Sequence, residues 1–297
     1  MDKFKFSLTD ITVIKSVMNR HGVNFKKRLG QNFLTDPAVC PAMAEEAVKG
    51  ATRTVGVIEI GAGVGVLTKE LLDRAEKVVC VELDEQLFPI LQETLAGYDN
   101  LKLVHGDILK IDLRGLIAEN FEGMDVVVCA NLPYYITSPV IMRLLEEELP
   151  INKIIVMVQK EAGERLTARV GSRDAGAVTV AVKYYAGAEK IFDVPRTSFV
   201  PSPNVDSCVI CLDLTQREDY GVSNVPLFFK TVKAAFGQRR KTVLNSLSNG
   251  LGLDKNTILL ALNNAELSSS ARAETLTMEE LVRLSNEIDK LNTHGKD

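Results

Sequence analysis

The sequence predicts a doubly wound α/β domain followed by a small all-helical domain. Three observations carry this reading. Between Pro37 and Val158, strand-length apolar runs alternate with helix-length segments. A glycine-rich turn, Gly61-Ala62-Gly63-Val64-Gly65, follows the first of those runs. After a polar, aperiodic stretch from Thr215 to Asn224, only helical periodicity remains.

The elements follow in order. Pro37 to Lys49 has the apolar face of a helix. Val55 to Ile60 is a continuous apolar run broken only by Gly56 and Glu59, as a strand buried on both faces requires. Leu67 to Leu72 begins a helix after the glycine turn, and Lys77 to Leu83 is the second strand. Asp84 to Leu95 is helical, Leu101 to His105 is the third strand, and Gly106-Asp107 ends it. Val126 to Ala130 is the fourth strand, Ser138 to Glu148 the helix after it, and Ile154 to Val158 the fifth strand. Ala177 to Tyr185 and Asp206 to Leu214 are rich in β-branched and aromatic residues. Both are expected as strands forming an antiparallel edge to the same sheet. From Val225 the helices are Leu227 to Phe236, Lys241 to Leu247, Thr257 to Leu262 and Thr277 to Leu291. The expected division is therefore a domain over 1–215, with a basic N-terminal segment, and a helical domain over 216–297.

Composition narrows the class. With 46% hydrophobic and 25% charged residues, the chain reads as an ordinary globular protein. No apolar stretch reaches membrane-spanning length, and Met1-Asp2-Lys3-Phe4-Lys5 lacks the apolar core of a signal peptide. A cytoplasmic location with no membrane partner is expected. The net charge of -4 argues against indiscriminate nucleic-acid binding. The basic residues are nevertheless clustered, at Lys26, Lys27 and Arg28 and again at Lys230, Lys233, Arg239, Arg240 and Lys241. The five cysteines are scattered, and Cys208-Val209-Ile210-Cys211 is the one C-x-x-C. In a strand, residues three apart point to opposite faces, so these sulfurs would not converge on a metal. No metal site is expected.

The chemistry gathers at strand ends, where open α/β sheets bind their ligands. Glycines in the 61–65 turn let a ligand approach the backbone closely. Glu82, near the end of the second strand, can accept both hydroxyls of a ribose. Asp107 can accept from an adenine amino group. The turn is G-x-G-x-G, and Val66 stands where the dinucleotide fingerprint G-x-G-x-x-G has its third glycine. This, with polar groups at two further strand ends, favours S-adenosylmethionine over NAD. At the fourth strand end stands Asn131-Leu132-Pro133-Tyr134. Asn131 offers an amide oxygen as acceptor. Leu132 precedes proline, so its backbone is pushed towards an extended conformation and its carbonyl can point into a site. Tyr134 offers a flat face on which a base can stack. Alone, the tetrapeptide also suits a turn that merely breaks the strand.

These segments resemble one family. Lys27-Arg28-Leu29-Gly30-Gln31-Asn32-Phe33-Leu34, Glu59 to Gly65, Val81-Glu82-Leu83-Asp84, Gly106-Asp107 and Asn131 to Tyr134 occur in its order. So do Phe199-Val200-Pro201-Ser202-Pro203-Asn204-Val205-Asp206-Ser207 and Phe236-Gly237-Gln238-Arg239-Arg240-Lys241-Thr242. The chain is similar to the small-subunit ribosomal RNA adenine dimethyltransferases, the kasugamycin-sensitivity methyltransferases, from about Asn24 to Leu284. The resemblance implies a Rossmann-like methyltransferase domain, with S-adenosylmethionine as methyl donor and S-adenosylhomocysteine as product. It implies dimethylation at N6 of two adjacent adenosines near the 3′ end of 16S rRNA, with the small ribosomal subunit as partner; a monomer is expected. It assigns cofactor contacts to Asn32, Leu34, Gly61, Glu82, Asp107 and Asn131; Asn32 and Leu34 rest on the motif alone. It is consistent with Lys27 and Arg28 as a basic approach to RNA. One departure is Ala175-Gly176, where the family often has an aromatic residue before the glycine.

The mechanism expected has the Asn131 amide oxygen and the Leu132 carbonyl accept the two hydrogens of the target amine. Tyr134 stacks on the base, and Phe199 closes its other face. Arg239, Arg240 and Lys241 are read as phosphate contacts. The rival readings are a large-subunit rRNA adenine methyltransferase of the macrolide-resistance type and a ribosome-assembly factor that binds rRNA as a checkpoint.

Overall fold

A computed structural model describes residues 6–23, 32–238 and 240–294. Lys27, Arg28 and Arg239 lie outside the described residues. The chain divides into two compact units, Met1–Gly163 with Ala188–Thr215, and Glu164–Gly187 with Gln216–Asp297.

The first unit opens with helix α1 (Ile11–Arg20), which Asp10 caps by accepting from the Thr12 N–H at 2.8 Å. The short strand β1 (Phe33–Leu34) and helix α2 (Val39–Val48) follow. An alternating series comes next: β2 (Val55–Ile60), α3 (Val66–Leu72), β3 (Lys77–Glu82), α4 (Phe88–Thr94), β4 (Leu101–His105), α5 (Leu113–Asn120), β5 (Asp125–Asn131), α6 (Thr137–Glu146) and β6 (Lys153–Gln159). Helix α7 (Lys160–Leu166) and helix α8 (Ala177–Tyr185) precede β7 (Gly187–Val194), β8 (Phe199–Val200) and β9 (Ser207–Asp213).

Seven strands form one sheet in the order β4-β3-β2-β5-β6-β9-β7. The pairings from β4 through β6 are parallel, and β9 runs antiparallel to β6. The chain steps outward from β2 through β3 to β4, then returns to place β5 on the other side of β2. The β2/β5 border is therefore a topological switch point, where the loops at the strand ends diverge and leave a crevice. Register fixes what lines it. Ile60 pairs with Val81 on one side and Ala130 on the other, so Gly61 and Asn131 leave adjacent strands at the same level.

The core follows from strand alternation. Val57, Val78, Cys80, Val127, Cys129, Ile155, Val209 and Cys211 belong to a single buried cluster that includes residues of α1 to α4. Each fully buried Val or Ile contributes about 1.5–3 kcal/mol relative to exposure. Cys211 belongs to this cluster while Cys208 does not. Cys208 instead sits at Gly163, where an added Cβ would lie 2.2 Å from its sulfur. The two sulfurs thus occupy opposite faces of β9, as the alternation requires.

The segment Ala177–Tyr185, expected as a strand, is helix α8; the expected strand at Asp206–Leu214 is β9, antiparallel to β6, and the strand beyond it is β7, a segment to which the sequence reading gives no element. The reason is burial. Six of the nine residues of α8 are buried, so the apolar run shows no helical period, and tertiary packing overrides the β propensity of its valines. Gly176 donates its N–H to Thr179 Oγ1 at 2.9 Å and starts the helix.

The second unit combines α8 with helices α9 (Val225–Phe236), α10 (Val243–Leu251), α11 (Lys255–Asn264) and α12 (Met278–His294). Its centre includes an aromatic cluster in which Tyr185 stacks on Phe229 at 5.5 Å and Tyr184 packs on Phe228 at 5.7 Å. This cluster draws Glu164–Gly187 into the second unit. The chain passes from the first unit to the second after Thr215, and 164–187 groups with the helices of the second.

Candidate active site

A cavity of about 390 Å³ opens at the carboxyl ends of the parallel strands. Its wall is assembled from Asn32, Leu34, Gly61, Glu82, Asp107, Asn131, Leu132, Tyr134 and Phe199, among others. Every cofactor-binding and catalytic residue expected from the sequence therefore meets in one place. Arg240 and Lys241 are not among the lining residues; they are exposed and lie between α9 and α10 of the second unit.

The glycine turn forms the floor beyond β2. Gly61 and Gly63 have φ of 75° and 60°, a left-handed backbone that L side chains adopt only at a cost. An added Cβ at either would meet no protein atom within 4 Å, so both leave space beside the cavity. Gly65 has a different task. It precedes α3 with φ 92°, and a Cβ there would crowd the Leu95 side chain at 3.1 Å and Thr94 Oγ1 at 3.2 Å. Thr94 in turn donates to the Val64 carbonyl at 3.0 Å and ties the turn to α4.

Two buried carboxyls flank this turn. Glu82 ends β3 and accepts from the N–H groups of Asp84 at 2.9 Å and Gly63 at 3.2 Å. Burial raises its pKa from the ordinary carboxyl value, and those backbone donors oppose the rise. Glu59, inside β2, is 1% exposed and accepts from the Cys80 thiol at 2.9 Å. Burial pushes its pKa up to about 7, against the opposing hydrogen bonds from Cys80 and Thr68. Glu59 has no role among the residues expected from the sequence. Its signal was the single charge in the otherwise apolar run Val55 to Ile60.

Asp107 ends the turn after β4 and accepts from the Leu109 N–H at 3.0 Å. Arg143 of α6 steadies this turn by donating to the carbonyls of Ile108 and, at 2.7 Å, Ile111. The turn that carries Asp107 is thus fastened to α6, while the carboxylate itself also pairs with Lys110 at 3.4 Å.

At the end of β5, Leu132 donates its N–H to the Met157 carbonyl at 3.3 Å and buries its side chain. Among the described residues, no donor engages the Leu132 carbonyl or the Asn131 amide. Pro133 then turns the chain into a single 3₁₀ turn, Tyr134–Ile136. Tyr134 is half-buried, and its hydroxyl lies 2.9 Å from Ser207 Oγ, the first residue of β9. Phe199 is 3% exposed and serves both the core cluster and the cavity wall. It reaches the cavity because β1 and β8 pair antiparallel, with Leu34 opposite Phe199 and Phe33 opposite Val200. This ribbon is fastened where the Thr35 N–H donates to the Ser198 carbonyl at 2.8 Å and Ser198 Oγ donates to Asp36 at 3.0 Å.

The arrangement can hold an elongated ligand along the ends of β2, β3 and β4 and present a planar group to two uncommitted acceptors at the end of β5. No group of three or more His, Cys, Asp or Glu that could hold a metal occurs among the described residues, and no described helix is long and apolar enough to cross a membrane.

Comparison with known proteins gives the same direction. The family described as "Ribosomal RNA adenine dimethylase" matches residues 22–290. A Bacillus licheniformis protein named ribosomal RNA small subunit methyltransferase A is 45% identical over 278 residues, covering 92% of this chain and 94% of that protein. The protein of the same name from Clostridioides difficile is 46% identical over 285 residues, covering 95% of this chain and 97% of its own length. Among solved structures, a dimethyladenosine transferase from Plasmodium falciparum superposes with a TM-score of 0.70 at 28% identity, covering 87% of this chain and 98% of that one. The 23S rRNA methyltransferase ErmE superposes with a TM-score of 0.64 at 26% identity, covering 87% and 100%.

Proposed function

The chain belongs to the ribosomal RNA adenine dimethylase family, and from that premise we propose that it transfers methyl groups from S-adenosylmethionine to N6 of two adjacent adenosines near the 3′ end of 16S rRNA. The products are N6,N6-dimethyladenosines and S-adenosylhomocysteine. The observation that carries the reading is the meeting of Asn131 to Tyr134 with Gly61, Glu82 and Asp107 around one cavity. The relatives named for the small ribosomal subunit favour that subunit as the partner. The compartment that holds this substrate in bacteria is the cytoplasm.

The residues present fit the methyl donor. Left-handed glycines at 61 and 63 leave room for a nucleoside against the backbone. Glu82 would receive the ribose hydroxyls and Asp107 the adenine amino group, with Asn32 and Leu34 closing the site. The donor supplies a methyl group on a sulfonium, already a strong electrophile. The protein's task is to make a poor nucleophile better and to align it.

An adenine amine is a weak nucleophile because its lone pair is shared with the ring. The Asn131 amide oxygen and the Leu132 carbonyl accept its two N–H groups. Acceptors in those positions favour a pyramidal nitrogen and stabilise the positive charge that develops as the methyl arrives. Tyr134 stacks on the extruded base, and Phe199 walls the opposite side. Holding nitrogen, methyl and sulfur in line supplies the orientation term. The cationic nitrogen formed by the first transfer releases one proton to solvent, so in the second transfer the amine has one N–H left for two acceptors.

Arg240 and Lys241, with Lys230 and Lys233 of α9, present exposed positive charge that suits RNA phosphates. Lys27, Arg28 and Arg239 are proposed for the same work. Their test is by point substitution, because a cut at residue 215 would leave Tyr184 and Tyr185 without Phe228 and Phe229.

Mass spectrometry of nucleosides tests the reaction. Purified small and large ribosomal subunits lacking the modification are incubated with enzyme and S-adenosylmethionine. Dimethyladenosine should form in the small subunit only. Its formation in the large subunit instead would replace this reading with the ErmE-like one.

A further inference from the structure

Two consecutive tyrosines meet different fates at the cavity. Tyr134 and Tyr135 open the same 3₁₀ turn, in which successive side chains diverge by about 120°. Tyr134 is turned inward and tethered to Ser207. Tyr135 also lines the cavity, yet it is 60% exposed. It is one of six large apolar side chains exposed among the described residues, and Leu83, 51% exposed, lines the same cavity, so apolar surface gathers at its mouth.

We infer that Tyr135 is a stacking platform for the nucleobase adjacent to the one being methylated. When one adenine leaves the stack for the cavity, its neighbour loses a stacking face and stays outside, beside the mouth. An exposed aromatic ring there replaces the lost partner. Stacking on an aromatic side chain tolerates any base, but the larger face of a purine gains most. Because RNA crosses the site with one polarity, the platform meets the other target adenosine in one round and the nucleotide flanking the pair in the other, which stacking tolerates. Tyr135 acts on binding of the RNA and takes no part in methyl transfer itself. The inference rests on the reading of Asn131 to Tyr134 as the target-base site.

The test compares Tyr135→Ala, Tyr135→Leu and Tyr135→Phe with small subunits as substrate, and measures S-adenosylmethionine affinity separately. Tyr135→Ala and Tyr135→Leu should raise KM for the subunit about tenfold, the scale of one lost base–aromatic stack. Their kcat and cofactor affinity should stay near wild type. Tyr135→Phe should rescue KM, since it keeps the ring. An unchanged KM in Tyr135→Ala overturns the inference. So does a Tyr135→Phe variant as impaired as Tyr135→Ala, which would assign the effect to the hydroxyl. Equal loss of cofactor affinity would make Tyr135 a wall of the cofactor site and overturn it too. Asn131→Ala is assayed in parallel. Full activity there defeats the underlying reading of the site, whereas an inactive Asn131→Ala beside a neutral Tyr135→Ala defeats only the platform.

Discussion

The hydroxyl of Tyr134 lies 2.9 Å from that of Ser207, joining the loop after β5 to the start of β9 across 73 residues of sequence. Ser207 is fully buried, and β9 is locked to β6 by antiparallel pairing from Gln159↔Ser207 to Lys153↔Asp213. The proposed stacking ring is therefore held at its far end by the rigid sheet. A ring fixed this way has lost its rotational freedom before the base arrives, so binding need not freeze it.

This tether gives the first expectation. Tyr134→Phe keeps the face and removes the hydroxyl, while Ser207→Ala removes the partner. Each should lower kcat/KM for the subunit by about three- to tenfold, the scale of one buried hydrogen bond. The double variant should be no worse than the poorer single one, because both remove the same contact. Additive losses in this cycle would mean that the hydroxyls act separately.

Asn131→Ala removes one of the two proposed acceptors for the amine. Loss of a preorganised transition-state contact costs about 10²–10³ in kcat. Cofactor affinity should fall far less, because Gly61, Glu82 and Asp107 remain. Single-turnover methylation and equilibrium cofactor binding separate the two effects. A kcat within about twofold of wild type would falsify the acceptor role.

Glu59 gives a dependence on pH. Its pKa in the fold is raised from 4.5 to about 7, mainly by burial. The folded state therefore binds the proton more tightly than the unfolded chain does. The associated stability is fully present below about pH 4.5 and is lost as pH rises through about 7. The full loss is on the order of 3 kcal/mol. Glu59→Gln is neutral throughout and should gain stability relative to wild type across that window. Urea unfolding of both proteins without cofactor, over a pH series, checks the slope. A constant difference between them would show that Glu59 keeps an ordinary carboxyl pKa.

The site was more legible than its supports, and the reason is local. Gly61, Glu82, Asp107 and Asn131 each stand where an apolar run ends, and strand ends converge by topology alone. Glu59 could have been singled out as the lone charge in its strand. Ser207 could not, since its partner is far away in sequence. Tyr134 is marked for stacking by its place in the tetrapeptide, but nothing in the sequence marks Tyr135, whose exposure is set by the direction of the 3₁₀ turn. In the fold, the miss at Ala177–Tyr185 has the opposite cause. Its residues have strong β propensity, and burial on most sides erased the period that would have marked a helix.

The basic residues of the second unit supply the last expectation. Arg240 and Lys241 are exposed, so removing them should not unfold the protein. If each contacts a phosphate, Arg240→Ala and Lys241→Ala should weaken RNA binding whatever the sequence. Each should also reduce the slope of log affinity against log salt by about one, through the counterion no longer released. Cofactor affinity should not move, because neither residue lines the cavity. Binding to small subunits across a salt series measures the slope. An unchanged slope with an intact fold would remove these two cations from the RNA interface and leave the approach to Lys27, Arg28, Lys230, Lys233 and Arg239.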